Sequence, residues 1–250
     1  MADFKVIIFD FDGTLADTRE AIVRAKQETI RRMGLPPRTD EECAATIGLT
    51  APLGFLKLYE GLPEPLVEKS TKMYRELFEH FRKALPPVVF PHVRETLQAL
   101  QEAGCVLTVA SSRNTPSLQD FLEILDLKDF FTLVLGAGDT AKYKPDPEPV
   151  LETLRRLEKR KPDTETLHRL RERKPDTETL HRLGEEETND LQPAEVLVVG
   201  DMPFDILMGS RAGVKTCGVT YGNATADELW EAGADYVIDD MKDLADIVLK

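Results

Sequence analysis

The chain has 250 residues, 42% hydrophobic and 31% charged, and its 45 acidic against 32 basic side chains give a net charge of −13. That length and composition suit one apolar-cored domain, alone or carrying a smaller inserted one. The negative balance argues against a nucleic-acid backbone or an anionic membrane as main partner, and no apolar run approaches membrane-spanning length.

Met1-Ala2-Asp3-Phe4 leads directly into the first element, leaving no room for a signal peptide, so the cytoplasm is the expected location. Val6-Ile7-Ile8-Phe9 is too short and too β-branched for a helix and reads as a buried strand. Residues two apart on an extended chain project the same way, so Asp10 and Asp12 emerge together where that strand ends. Gly13 then turns the chain. Two adjacent carboxylates repel without a cation. The pattern suits chemistry on an anion that arrives with a divalent metal.

Over residues 17–91 the strand signal disappears. Segments 21–33, 53–59 and 66–82 carry apolar residues at helical spacing, broken by Gly34-Leu35-Pro36-Pro37 and Gly61-Leu62-Pro63. This predicts a helical insertion at 17–91 placed as a lid, with 1–16 and 92–250 forming the core. In the core, helical segments 93–103, 117–125, 147–157 and 205–212 separate most of the strands 106–110, 132–135, 196–199, 216–220 and 236–238. The alternation implies right-handed crossovers and a parallel sheet covered on both faces. The expected fold is therefore α/β, a Rossmann-like doubly wound parallel sheet with an inserted α-helical cap, and ligands sit at the carboxyl ends of its strands.

A tandem repeat interrupts this order. Residues 161–170 recur unchanged at 174–183, and Glu-Thr-Leu-x-Arg-Leu occurs three times over 152–183 at a spacing of 13. The period is shorter than the roughly 20–50 residues of solenoids, and the rest of the chain does not repeat. It reads as a duplication, recent or engineered, between a helix and the Val196 strand, on the side away from the ligand edge and functionally silent. Lys144-Pro145-Asp146 resembles the repeat's Lys161-Pro162-Asp163 and Lys174-Pro175-Asp176, but only Lys144 follows a sheet strand closely. Cys43, Cys105 and Cys217, odd in number and far apart, read as reduced buried thiols.

Four elements in order now resemble the haloacid dehalogenase-like phosphohydrolases with a helical cap after the first motif: Asp10-Phe11-Asp12-Gly13-Thr14, Ser111 after 106–110, Lys144-Pro145-Asp146-Pro147, and Gly200-Asp201 with Asp205. Residues 10–18 and Ile47-Gly48-Leu49-Thr50 look most like phosphoglycolate phosphatase and its pyrophosphatase relatives. The resemblance implies that Asp10 is a nucleophile forming an aspartyl-phosphate and that Asp12 is the acid and base. Asp10, Asp12 (by its backbone carbonyl), Asp201 and Asp205 would hold Mg²⁺. It assigns Lys144, Ser111, Ser112, Gly13 and Thr14 to the phosphate, with Thr14 also able to orient Asp12. Arg113, Ile47 and Thr50 are candidates for substrate selection.

The physics agrees. A carboxylate is a weak nucleophile that needs alignment and charge neutralisation, and Mg²⁺ prefers one or two carboxylates with waters and a phosphate oxygen. The implied substrate is a small phosphorylated metabolite, the implied assembly a monomer or weak homodimer. A dehalogenase lacks the second acid, and a phosphonate-cleaving relative replaces it. A sugar-phosphate mutase keeps both acids but commonly carries a His where this chain has Ile22. Two further readings stand beside the hydrolase, a pyrophosphatase of the same family and a non-catalytic engineered scaffold.

Overall fold

A computed structural model describes residues 4–160 and 191–249. The first strand, β1 (Val6–Phe9), is followed by the short β2 (Ala16–Asp17). Helices α1 (Arg19–Met33), α2 (Asp40–Ala44), α3 (Ala51–Leu58) and α4 (Glu64–Ala84) come next, then β3 (Val88–Val89). The remainder alternates: α5 (Val93–Glu102), β4 (Val106–Ala110), α6 (Thr115–Ile124), β5 (Leu133–Leu135), α7 (Glu148–Arg160), β6 (Val196–Gly200), α8 (Pro203–Ala212), β7 (Lys215–Val219) and β8 (Tyr236–Ile238). Further short helices, Ala226–Glu231 and Asp243–Val248, flank β8.

Six strands form one parallel sheet in the order β5-β4-β1-β6-β7-β8. β1 is central, with Val6 opposite Val106 and Val196, and Phe9 opposite Val109 and Val199. Alternate side chains leave opposite faces. Ile7, Phe9, Leu107 and Val199 pack with Leu97 of α5 and Phe121 of α6 on one side. Val6, Ile8, Val196 and Val198 pack with Val150 of α7 and Met208 of α8 on the other. A sheet covered on both faces explains why β1 and β6 are apolar without alternation, every residue of both being buried.

Helices α1 to α4 lie between β2 and β3, with α1 and α3 packed on α4. Gly34, in the left-handed conformation, stops α1, and Thr39 with Glu42 forms a capping box that starts α2. One feature departs from the expectation that 17–91 holds no strands. Ala16 and Asp17 pair antiparallel with Val89 and Val88, so both connections to the helices run side by side. Two-residue strands are too short to imprint any hydrophobic period. Tyr221 braces this ribbon, its ring 4.7 Å from that of Phe90 and its hydroxyl donating to Thr14 O at 2.9 Å.

The repeat from residue 161 onward, including Lys161 and Lys174, lies outside the described residues. The three cysteines are free and buried. Among the described residues no helix is long and apolar enough to cross a membrane.

Candidate active site

Asp10, Ser111 and Asp201 are each the first residue beyond a strand, following β1, β4 and β6, which are neighbours at the centre of the sheet. The strand order therefore delivers these side chains to one edge. Asp205, one turn into α8, joins them, and so does Lys144 from the loop before α7. Asp10, Asp201 and Asp205 each present a carboxylate oxygen within 4.8 Å of the others. Lys144 Nζ lies 2.7 Å from Asp10 Oδ1 and 2.7 Å from Asp205 Oδ1. All four side chains are buried.

Three carboxylates face one ammonium, and the imbalance is visible in their acidities. Burial, opposed by Lys144 and reinforced by Asp205 and Asp12, lifts Asp10 to about 7. Burial, with Asp205 and Asp10, also holds Asp201 well above the carboxylate range, against hydrogen bonds from Asn223. Burial works against the Lys144 ammonium, yet Asp10 and Asp205 outweigh it and raise Lys144 above the usual lysine range. Asp10 Oδ2 is buried with no hydrogen-bond partner among the described residues. An orphaned carboxylate oxygen and an all-oxygen donor set fit a hard divalent cation.

Asp201 is the most tightly built member. Asn223 donates to its Oδ2 from both the backbone (2.9 Å) and the side-chain amide (2.8 Å), and Thr14 Oγ1 donates to Oδ1 at 3.3 Å. Gly13 and Gly222 let the backbone close on it. A Cβ at Gly13, where φ is +88°, would sit 2.1 Å from Asp201 Oδ2, and one at Gly222 would sit 2.3 Å from Asp201 Cβ.

Thr14 and Gly13, both sequence candidates for the phosphate, have partners within the protein: the Thr14 hydroxyl donates to Asp201 rather than to Asp12, and the Gly13 N–H to Ala16 O at 2.9 Å. Both positions shape the loop that holds Asp201. The sequence marks Gly13-Thr14 as a turn but does not reveal which oxygens the Gly13 N–H and the Thr14 hydroxyl meet.

Asp12 stands beside the carboxylate cluster, and its side chain is not one of the three converging oxygens. Thr18 Oγ1 donates to its Oδ1 at 2.6 Å. Arg113 grips both oxygens, Nε to Oδ2 at 3.1 Å and Nη2 to Oδ1. The guanidinium lies over Phe78 of α4 and Phe121 of α6, 4.7 and 4.4 Å from the ring centroids. Arg113, a sequence candidate for substrate selection, is thus the partner of Asp12. Ser111 Oγ accepts from Arg113 N at 3.2 Å, and Ser112 Oγ donates to Gly48 O at 2.7 Å, tying the loop after β4 to the α2–α3 loop.

A cavity of about 160 Å³ opens above Asp10 and Asp12, between Ser111 to Asn114 of the core and the α1, α2–α3 loop and α4 residues opposite. Ile47 and Thr50 line it, as does Lys26 of α1. Lys142, two residues before Lys144, instead pairs with Asp146 at 3.3 Å on the surface.

Three participants are not marked in the sequence motifs. Thr18 carries no signal beyond a polar residue before a helix. Asn223 sits in Tyr221-Gly222-Asn223, which reads as an ordinary turn after β7. Lys26 had a usable signal, since it lies one turn from Ile22 and from Ile30 on the buried stripe of α1.

This arrangement of acids at the parallel strand ends, beneath an inserted helical unit, defines a class. A family model described as haloacid dehalogenase-like hydrolase matches residues 7–167, and a second HAD-hydrolase-like model matches 159–244. The chain belongs to the haloacid dehalogenase-like hydrolases. It is 32% identical over 237 residues to "Probable phosphatase IndB" of Dickeya dadantii, covering 94% of this chain and 89% of that one. It is 31% identical over 226 residues to a phosphoglycolate phosphatase of Aquifex aeolicus, covering 87% and 85%. A haloacid dehalogenase-like hydrolase structure from Bacteroides fragilis superposes with a TM-score of 0.79 at 27% identity, covering 96% of this chain and 99% of that one.

Proposed function

We propose that the chain is a Mg²⁺-dependent phosphomonoester hydrolase acting on a small phosphorylated metabolite, in the manner of phosphoglycolate phosphatase. The observation that carries this reading is the buried Asp10 carboxylate, with Oδ1 on Lys144 and Oδ2 unpartnered beside Asp201 and Asp205. Asp10, Asp201 and Asp205 would hold the ion, with the Asp12 carbonyl adding a ligand by family pattern. Mg²⁺ supplies charge neutralisation where two anions meet.

The chain's own residues then divide the work. An Asp10 oxygen attacks phosphorus, and the P–O ester bond breaks with its electron pair leaving on the alcohol oxygen. Asp12 gives that oxygen a proton. The aspartyl-phosphate is hydrolysed by a water whose proton Asp12 takes, releasing inorganic phosphate and restoring Asp10. Lys144 offsets the charge of nucleophile and phosphoryl oxygens. Ser111 and the Ser112 N–H face the same space. Arg113 and Thr18 position the Asp12 carboxylate. Helices α1 to α4 act as the cap, residues 17–91, over the core formed by 1–16 and 92–250, and the enzyme works in the cytoplasm as a monomer or weak homodimer.

The test is turnover of a generic aryl phosphate. Activity should require Mg²⁺, vanish with EDTA and fall by roughly a thousandfold or more in Asp10→Asn. Equal turnover in that variant defeats the assignment, and a screen of phosphorylated metabolites then ranks substrates for the active protein.

A further inference from the structure

The cavity above Asp10 is lined on the core side by Asp10, Asp12, Ser111 and Arg113, and on the cap side by Lys26 and Thr50 with Arg75 and Glu79 of α4. Lys26 is only 5% exposed. An ammonium has three donors, and two of them go to Cys43 O at 3.1 Å and to Thr46 Oγ1, both neutral oxygens. The other buried cations differ, for Arg113 is matched by Asp12 and Lys144 by Asp10 and Asp205. A buried ammonium without a carboxylate against it is costly. Burial accordingly pulls Lys26 down to about 8, although Cys43 and Asp12 act the other way.

A second observation is independent of the first. Thr50 Oγ1 is buried in the same cavity wall and has no hydrogen-bond partner among the described residues. An uncompensated cation and an unused hydroxyl together make a receptor for anionic oxygen.

We propose that Lys26 and Thr50 bind a second anionic group of the substrate, a carboxylate or a further phosphoryl, while the phosphoryl to be cleaved lies against Asp10. This rests on the phosphatase reading and adds a requirement at the leaving-group end. The cavity, about 160 Å³, lies between Asp10 and Lys26, so one small substrate can reach both. Lys26 is thereby the specificity-determining residue, and Thr46 holds it in place.

Kinetics at pH 7 with Mg²⁺ on three substrates test this: a two-carbon phosphomonoester ending in carboxylate, its analogue ending in hydroxyl, and inorganic pyrophosphate. The native chain should prefer one of the two substrates carrying a second anionic group over the hydroxyl ester by about tenfold to a hundredfold in kcat/KM, mainly through KM. Which one it prefers tells carboxylate from phosphoryl. Lys26→Met should reduce that preference to about twofold, Lys26→Arg should retain part of it, and Thr50→Val should raise KM several-fold for the preferred substrate. Thermal melts establish that each variant is folded. No preference in the native chain, or an equal loss on all three substrates in Lys26→Met, overturns the proposal while the phosphatase reading stands. Turnover of none of the three overturns the proposal alone if a generic aryl phosphate is still hydrolysed, and overturns both readings if it is not.

Discussion

Lys26 illustrates how a functional side chain can oppose stability. The unfolded chain keeps its ammonium proton up to the ordinary value of 10.5, the folded chain only to about 8. Between those values the unfolded state binds more protons, so stability should rise with pH, and below about 8 the full cost is present. The difference corresponds to about 3 kcal/mol, an upper figure for what Lys26→Met should return at pH 7. The Cys43 carbonyl stays satisfied in that variant, because Thr46 Oγ1 also donates to it at 2.8 Å. Denaturant melts at pH 7 and pH 10 check this, with the variant's advantage shrinking at the higher pH. A variant less stable than the native chain would show that Lys26 mainly holds the α2–α3 loop.

Gly13 makes the opposite kind of demand. With its positive φ, and only 2.1 Å between the place a Cβ would take and Asp201 Oδ2, it cannot accept alanine without moving the acid. Gly13→Ala should lower Mg²⁺ affinity and turnover by at least about a hundredfold while the chain still folds, as judged by titration of Mg²⁺-dependent activity and circular dichroism. At this scale the projection of Asp10 and Asp12 past a strand end was legible from alternation, while Asp201, Asp205 and Lys144 were singled out by the family resemblance; Asp10, Asp201, Asp205 and Lys144 converge in the structure. Asn223 was not legible, since its bond to Asp201 spans the fold, and nothing local marks a turn asparagine as a partner for an acid.

Among the elements, β1 and β6 matter most, for their parallel register, with Phe9 opposite Val199, puts Asp201 one residue beyond the level of Asp10. The raised Asp10 has a consequence for the ion-free protein. The folded chain binds more protons than the unfolded one between the ordinary value of 3.8 and about 7, so ion-free stability should fall as pH rises through that window. A divalent cation that displaces those protons restores it, by about 2.7 kcal/mol at a hundred times its Kd. Removing Mg²⁺ with EDTA should therefore lower Tm by about 5–10 °C at pH 8 and by much less at pH 5. An equal loss at both pH values would place the ion elsewhere.

The six sheet strands were readable from their apolar runs, with ends shifted by a residue at β5, β6 and β7. The β2–β3 ribbon was not, because pairing alone defines strands of two residues. Helix α7 is described through Arg160, past the 157 suggested by periodicity, and includes the whole first copy of the Glu-Thr-Leu-x-Arg-Leu motif.

For the molecule as a whole, the duplicated sequence enters after α7 and returns at β6 through Val196, which lies opposite Val6 at the start of β1. Asp10 and Asp201 follow the other ends of those strands. Deleting two of the 13-residue units should leave kcat and KM within about twofold of the native values, checked by steady-state kinetics on the deletion variant. A collapse in rate with the fold intact would give the repeat a part in catalysis.

The paired crossings at Ala16–Asp17 and Val88–Val89 mean that the chain leaves and re-enters the catalytic body through a single doorway one ribbon wide. A relative's helices grafted at those crossings would have to bring their own counterparts of Thr18, which lies just inside the doorway and holds Asp12, and of Phe78, whose ring lies against Arg113.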